Sequence, residues 1–199
     1  MNRATTKSLN PAVGVAIMVF SLLGLFSSVM LLQSELDVLA DPAANLICDV
    51  NPLIGCSSSL LSPQAHLLGL PNSALGLAAF GALLALGAVI TFRGTLPNII
   101  WWGLSVGVIG GLIFVAYFLF QSVTVFRTLC PYCMLTWVAT LGALPLVLGA
   151  AGTTGALGTG LTSAGRSTLR YSWAITLVLY LLVILVIVVT LSDKIGYLF

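Results

Sequence analysis

Charge is what this sequence has least of. Its 199 residues carry seven Lys/Arg and five Asp/Glu, 6% in all, where a soluble domain carries roughly 25%. So little charge does not fit a soluble fold, a disordered chain or a nucleic-acid binder. The net charge of +2 is too small to call for an acidic partner. Internal repeats are also missing, and no second domain can be cut out. Hydrophobic residues make up 59%. What remains is an all-α integral membrane protein with few loops.

A membrane helix needs about 20 mainly apolar residues at 1.5 Å rise each. Five segments qualify: 11–32, 73–92, 98–120, 128–148 and 171–191. Lipid tolerates only helices or closed barrels, and these lengths select helices. Residues 1–150 form the expected four-helix core, 33–72 a long outer loop, 151–170 a Gly/Thr/Ser-rich cytoplasmic linker, and 171–191 an accessory fifth span. The first segment resembles a secretory signal, with Arg3 and Lys7 before it and Val38-Leu39-Ala40 after it. It is longer than an h-region and too far from Ala40, so a retained helix is expected.

Basic residues set the orientation. With the N-terminus inside, Arg3, Lys7, Arg93, Arg166 and Arg170 are cytoplasmic and only Arg127 and Lys194 lie outside. All five acids, Glu35, Asp37, Asp41, Asp49 and Asp193, then fall outside as well. The expected location is the plasma membrane, multi-pass, with no charged residue inside a span. Gly103, Gly107 and Gly111 recur every four residues in the third span. Such spacing lets helix backbones approach closely and predicts packing inside the bundle, or else a homodimer face. Pro145 is expected to kink the fourth span.

Four cysteines carry the chemistry. Cys48 and Cys56 lie in the outer loop as C-x7-C, and Cys130-Pro131-Tyr132-Cys133 opens the fourth span. The topology comes from charge alone, yet it puts all four on the side where disulfides persist. The fourth span runs inward, so its N-terminal dipole faces the thiols and favours a thiolate. Cys133 lies about one turn, ~5 Å, deeper than Cys130. One thiol can face the loop while the other faces a lipid-soluble ligand. Purely structural disulfides and a zinc site are the alternatives, though only one pair has metal-like spacing. C-type haem attachment is excluded, because Met134 stands where C-x-x-C-H needs histidine.

The loop has its own pattern. Pro42, Pro52, Pro63 and Pro71 divide it, and Ser57, Ser58 and Ser59 are positioned to cap a short helix. Leu60, Leu61, Leu67, Leu68 and Leu70 predict an uncharged interfacial lid. His66 stands alone there, either a surface residue at the interface or an aid to proton transfer.

CDVNPLIGCSSSL in the loop, LPNSALG opening the second span and CPYCMLTW opening the fourth come in that order. This combination resembles the vitamin K epoxide reductase family over about residues 1–150, and its bacterial members in particular. The resemblance implies a four-helix bundle around a quinone (menaquinone, ubiquinone or vitamin K). Cys48 and Cys56 would collect electrons from a thioredoxin-like protein, and Cys130 and Cys133 would pass them on, Cys133 beside the quinone. Asn72 would hydrogen-bond a quinone carbonyl, and Trp137 would lie against the ligand where animal members have tyrosine. Ser57 follows the second loop cysteine as in relatives. On residues alone, Asn72 also reads as the N-cap of the second span and Trp137 as an interfacial belt residue. Some relatives carry a fused thioredoxin-like domain. This sequence stops at Phe199, so the partner is expected to be a separate secreted thiol oxidase and the chain a monomer. The expected function is thiol:quinone oxidoreduction that drives disulfide formation. Vitamin K epoxide reduction and a non-catalytic scaffold with structural disulfides are the alternatives.

Overall fold

The computed structural model describes residues 9–41, 46–51, 53–60, 62–66, 69–94 and 96–196. Arg3, Lys7, Pro42, Pro52, Leu61, Leu67 and Leu68, used in the readings above, lie outside the described residues. Every named element is a helix, and five are long and apolar enough to cross a membrane. The protein is an all-α, multi-pass membrane protein.

Helix α1 spans Pro11–Ala40. Asn10 starts it, its Oδ1 accepting the Ala12 N–H at 3.0 Å, with Pro11 preset for the first turn. It runs eight residues past the expected end at 32. The reason lies in its buried stripe: Ile17, Ser21, Gly24, Ser28, Leu31, Glu35 and Val38, at alternating steps of four and three. Beyond residue 32 the stripe faces protein rather than lipid, so the helix continues although hydropathy drops. The span as bounded at 11–32 holds no charged residue, but the continuation of α1 to Ala40 carries a buried one, Glu35.

The outer loop holds a one-turn helix α2 (Ser57–Leu60) and a 3-10 turn at Pro63–His66. Helix α3 spans Asn72–Arg93 and ends at Gly94, whose left-handed backbone (φ 69°) lets its N–H bond the Ile90 carbonyl at 2.9 Å. Helix α4 (Asn98–Gln121) passes through a π-helical turn at Ser122–Phe126. The chain then reverses at Arg127, at φ 51°. Helix α5 spans Pro131–Thr153, helix α6 Thr162–Arg170, helix α7 Ser172–Thr190 and helix α8 Ser192–Gly196.

Helix α5 is the centre of the bundle and the most buried of the five spans. Helix α1 packs against α3 and α5, while α4 and α7 pack against α5. Helices α1 and α3 meet almost backbone to backbone. A Cβ on Gly14 would lie 2.3 Å from Thr91 Oγ1 and 2.8 Å from the Gly87 carbonyl. Lipid tails are as apolar as leucine, so such helices gain from close packing rather than from hydrophobic burial. The expected packing role of the α4 glycines is largely corrected. Gly103 and Gly107 have nothing within 4 Å of an added Cβ, and only Gly111 touches a neighbour, Thr140.

Residues 151–170 contain the end of α5, a 3-10 turn (Thr159–Leu161) and all of α6. Helix α6 folds back on α5, with Gly165 against Gly152. Helix α7 has no fully buried residue. It leans on α5 through Leu179, Val183 and Ile187, and the Tyr180 hydroxyl donates to the Val138 carbonyl at 2.9 Å.

Candidate functional site

The outer loop is tied to the segment that precedes α5. The Gly55 N–H bonds the Leu129 carbonyl at 3.1 Å, and the Leu129 N–H bonds the Leu53 carbonyl at 2.8 Å. Ser58 Oγ and Thr128 Oγ1 lie 2.6 Å apart beside this bridge. The residues that follow Gly55 and Leu129 are Cys56 and Cys130, so the bridge carries their sulfurs together. Cys130 Sγ lies 3.4 Å from Cys56 Sγ. Cys56 is itself disulfide-bonded to Cys48, while Cys130 and Cys133 are free thiols.

Asp49 shapes this loop. One carboxylate oxygen accepts the Cys56 N–H at 2.6 Å and the Ser57 N–H at 3.2 Å, and the other accepts the Ser57 hydroxyl. Burial pushes the carboxyl up, but the bonds from Ser57 and Cys56 outweigh it and hold it below the ordinary 3.8. A depressed carboxyl stabilises the folded loop above its unfolded value, and that contribution is lost as pH falls through the lower folded value. Replacing Asp49 by Ala is expected to speed reduction of Cys48–Cys56 by dithiothreitol several-fold at neutral pH. In the wild type, a phosphine reductant, which works without a thiolate, should show the same acceleration only below about pH 4. Alkylation of the released thiols, followed by mass spectrometry, reads both.

Cys130 is the N-cap of α5, and its sulfur accepts the Cys133 N–H at 3.3 Å. Unpaired N–H groups and the helix dipole meet there and favour negative charge on sulfur. Cys56, Cys130 and Cys48 are 0%, 2% and 4% exposed, and the exposed Ile47 and Val50 flank the Cys48-Asp49 pair.

Cys133, one turn further in, opens onto a cavity of about 50 Å³. Leu31, Leu60, Ala65 and Phe118 form apolar walls, and Ser59, Asn72, Ser73 and Glu35 add polar groups. Of the leucines expected to form a lid, Leu60 of α2 lines the cavity, beside Ala65 of the 3-10 turn, while Leu70 is exposed. The cavity holds little more than a few waters. A ligand of ordinary size, in a pocket of ~300 Å³ or more, needs this cover displaced.

Asn72 lines the cavity, and its N-cap reading is overturned. Pro71 is the cap of α3, and the Asn72 side chain makes no capping bond; its Nδ2 donates instead to the Gln64 carbonyl at 2.6 Å. Asn72 Oδ1 is buried without a partner. An amide carries two N–H donors, of which the bond to Gln64 uses one. Trp137 lies one turn below Cys133, 4% exposed, packed among Val115, Leu141, Phe118 and Tyr180. Its belt reading is overturned by this burial, but it is not among the residues that line the cavity.

Sequence reasoning missed Glu35. Its carboxylate accepts the Ser73 hydroxyl at 2.8 Å, and Oε1 lies 2.9 Å from His66 Nε2. The available signal was the step-of-four-and-three stripe of α1, which runs unbroken from Ile17 to Val38.

A quinone fits a mainly apolar enclosure with an amide donor and a thiol at the wall, and the unpartnered Asn72 Oδ1 can accept from a quinol hydroxyl. The family model described as the vitamin K epoxide reductase family matches residues 15–148. No curated protein matches the chain.

Proposed function

On the premise that the chain belongs to the vitamin K epoxide reductase family, we propose that it is a thiol:quinone oxidoreductase that regenerates a secreted disulfide donor. Family membership carries the general statement, a membrane redox protein working with disulfides and quinones. The observation that supports the finer one is the 3.4 Å approach of Cys130 Sγ to the Cys48–Cys56 disulfide, with Cys133 on the cavity behind it.

The partner is a separate thioredoxin-like protein on the extracytoplasmic side. Its thiolate attacks Cys48, the member of the pair flanked by exposed residues, and Cys56 leaves as thiolate. The partner's second thiol resolves the mixed disulfide and frees Cys48. Cys56 attacks Cys130 of a Cys130–Cys133 disulfide, and Cys133 leaves. Cys48 then closes on Cys56, which restores the loop disulfide and leaves Cys130 and Cys133 as a dithiol. That distribution of bonds is the one described above.

When bound, a quinone supplies a two-electron acceptor that takes up two protons. Asn72 orients it through the spare N–H, Leu60 and Ala65 exclude water, and Cys133 is the thiol facing it. A strongly oxidising partner near about −120 mV needs an acceptor of this strength to be re-oxidised. Orientation follows the basic residues, with Arg93, Arg166 and Arg170 at the cytoplasmic end and the cysteines outside in the plasma membrane. Arg127 and Lys194 fit the outer side because they are spoken for: Arg127 pairs with Asp193, and Lys194 bonds the Arg127 carbonyl at 2.8 Å.

The test is direct. Purified protein in detergent, given dithiothreitol and either menaquinone or ubiquinone, is expected to reduce the quinone catalytically, followed by absorbance. Absence of turnover with both quinones, with the thiols inert to the reductant, leaves a disulfide-stapled scaffold and removes the enzyme reading.

A further inference from the structure

Quinone reduction takes up two protons with its two electrons. Dithiol oxidation releases two, but of the two thiols only Cys133 lines the cavity, so a second proton donor is needed there. The cavity holds one carboxyl. Glu35 is 4% exposed, in the apolar interior of α1, where an isolated carboxylate is costly to bury. It reaches the cavity that Cys133 and Asn72 also line. Ser73 holds its Oε2, which leaves Oε1 facing His66 Nε2 at 2.9 Å without a well-aligned hydrogen bond. The His66 side chain is 43% exposed, so the imidazole touches the carboxyl on one side and the outer surface on the other. Cavity, carboxyl, imidazole and solvent thus follow one another without a gap. Among the described residues that line the cavity or bond Glu35, the titratable groups are His66 from the 3-10 turn and Cys133 from α5. Helix α3 contributes Asn72 and Ser73, and α4 contributes Phe118.

We propose that Glu35 donates a proton to the quinone and that His66 reloads it from the extracytoplasmic surface. The assignment rests on the quinone-reducing reading above. The balance is as follows. The S–H bonds of Cys130 and Cys133 break and an S–S bond forms between them, releasing two electrons to the ring. One carbonyl oxygen takes the Cys133 proton and the other takes the Glu35 proton. Glu35 recovers a proton from His66, His66 takes one from the outer solvent, and the Cys130 proton returns to that solvent.

Glu35 and His66 also tie α1 to the loop, so the test uses readouts that a structural tie does not move. The full chain in detergent is given dithiothreitol and a short-chain ubiquinone. Glu35→Gln, which keeps the shape and the Ser73 contact, should lower turnover about 10²-fold or more, within the range for losing a general acid. Thiol alkylation should show that this variant still accumulates the Cys130/Cys133 dithiol. His66→Ala, at an exposed position, should lose about tenfold and recover when imidazole is added. Infrared difference spectra of quinone reduction should show a carboxyl C=O band that shifts in D2O and is absent from Glu35→Gln. Wild-type turnover in Glu35→Gln, no carboxyl band, or a His66→Ala defect that imidazole does not relieve overturns the relay. A wild-type protein that reduces no quinone overturns the parent reading itself, and with it the relay.

Discussion

Replacing Cys133 by Ala is expected to abolish quinone reduction, by about 10³-fold or more, and to trap a bond absent from the wild type. The reaction needs two sulfurs at the inner end of the relay. Cys130 can receive the Cys56 sulfur, because the two are 3.4 Å apart. Without Cys133 no resolving thiol lies on the quinone side, and loss of a reacting thiol costs nearly the whole rate. Under mild oxidation the variant should accumulate a Cys56–Cys130 disulfide with Cys48 free. Peptide mapping after alkylation would find that cross-link. Retained turnover would remove Cys133 from the pathway. A Cys48–Cys130 bond instead would reassign which loop cysteine faces α5.

The second large effect concerns stability. Gly14→Leu is expected to cost about 3 kcal/mol, the upper part of the usual range for overpacking. A Cβ there would already lie 2.7 Å from the Thr91 N, a backbone atom that cannot rotate away. The remaining side-chain atoms would force α1 off α3 along the face that also carries Glu35 toward the cavity. The control is Gly107→Ala, where no atom lies within 4 Å of an added Cβ. That change should be neutral or stabilising by up to ~1 kcal/mol, the helix-propensity difference. Thermal unfolding in detergent compares the two. Equal losses would mean that the α4 glycine face is covered in solution.

The five spans were legible because lipid imposes length and hydropathy directly, and no tertiary detail can override a run of 20 apolar residues. The cysteines and Asn72 could be singled out because their order along the chain resembles that of the family, and the structure places Cys130 beside Cys56, and Cys133 and Asn72 on one cavity. Glu35 was not, since hydropathy ended α1 at 32 while the buried stripe carried on to Val38. Hydropathy reports what touches lipid and says nothing where a helix emerges into its own protein. The α4 glycines failed for a related reason. Spacing shows that Gly103 and Gly107 share a face, but not that any helix lies against it. Helix α6 was hidden by composition, because Gly and Thr suggest a flexible connector until a neighbour such as Gly152 gives Gly165 something to pack on.

The enclosure of Cys56 and Cys130 has a consequence for which reagents can reach the sulfurs. A small thiol, a peroxide or a foreign disulfide diffusing past meets the rim near Ile47 and Val50 and not the inner sulfurs, which are 0% and 2% exposed. Thiolate exchange depends on access as strongly as on driving force. Cys130 is therefore shielded from oxidants passing on the loop side, while the partly buried Cys133 meets the cavity. A donor large enough to seat on the rim and displace it is thus favoured over a small thiol, which must be supplied in large excess to reach the loop disulfide.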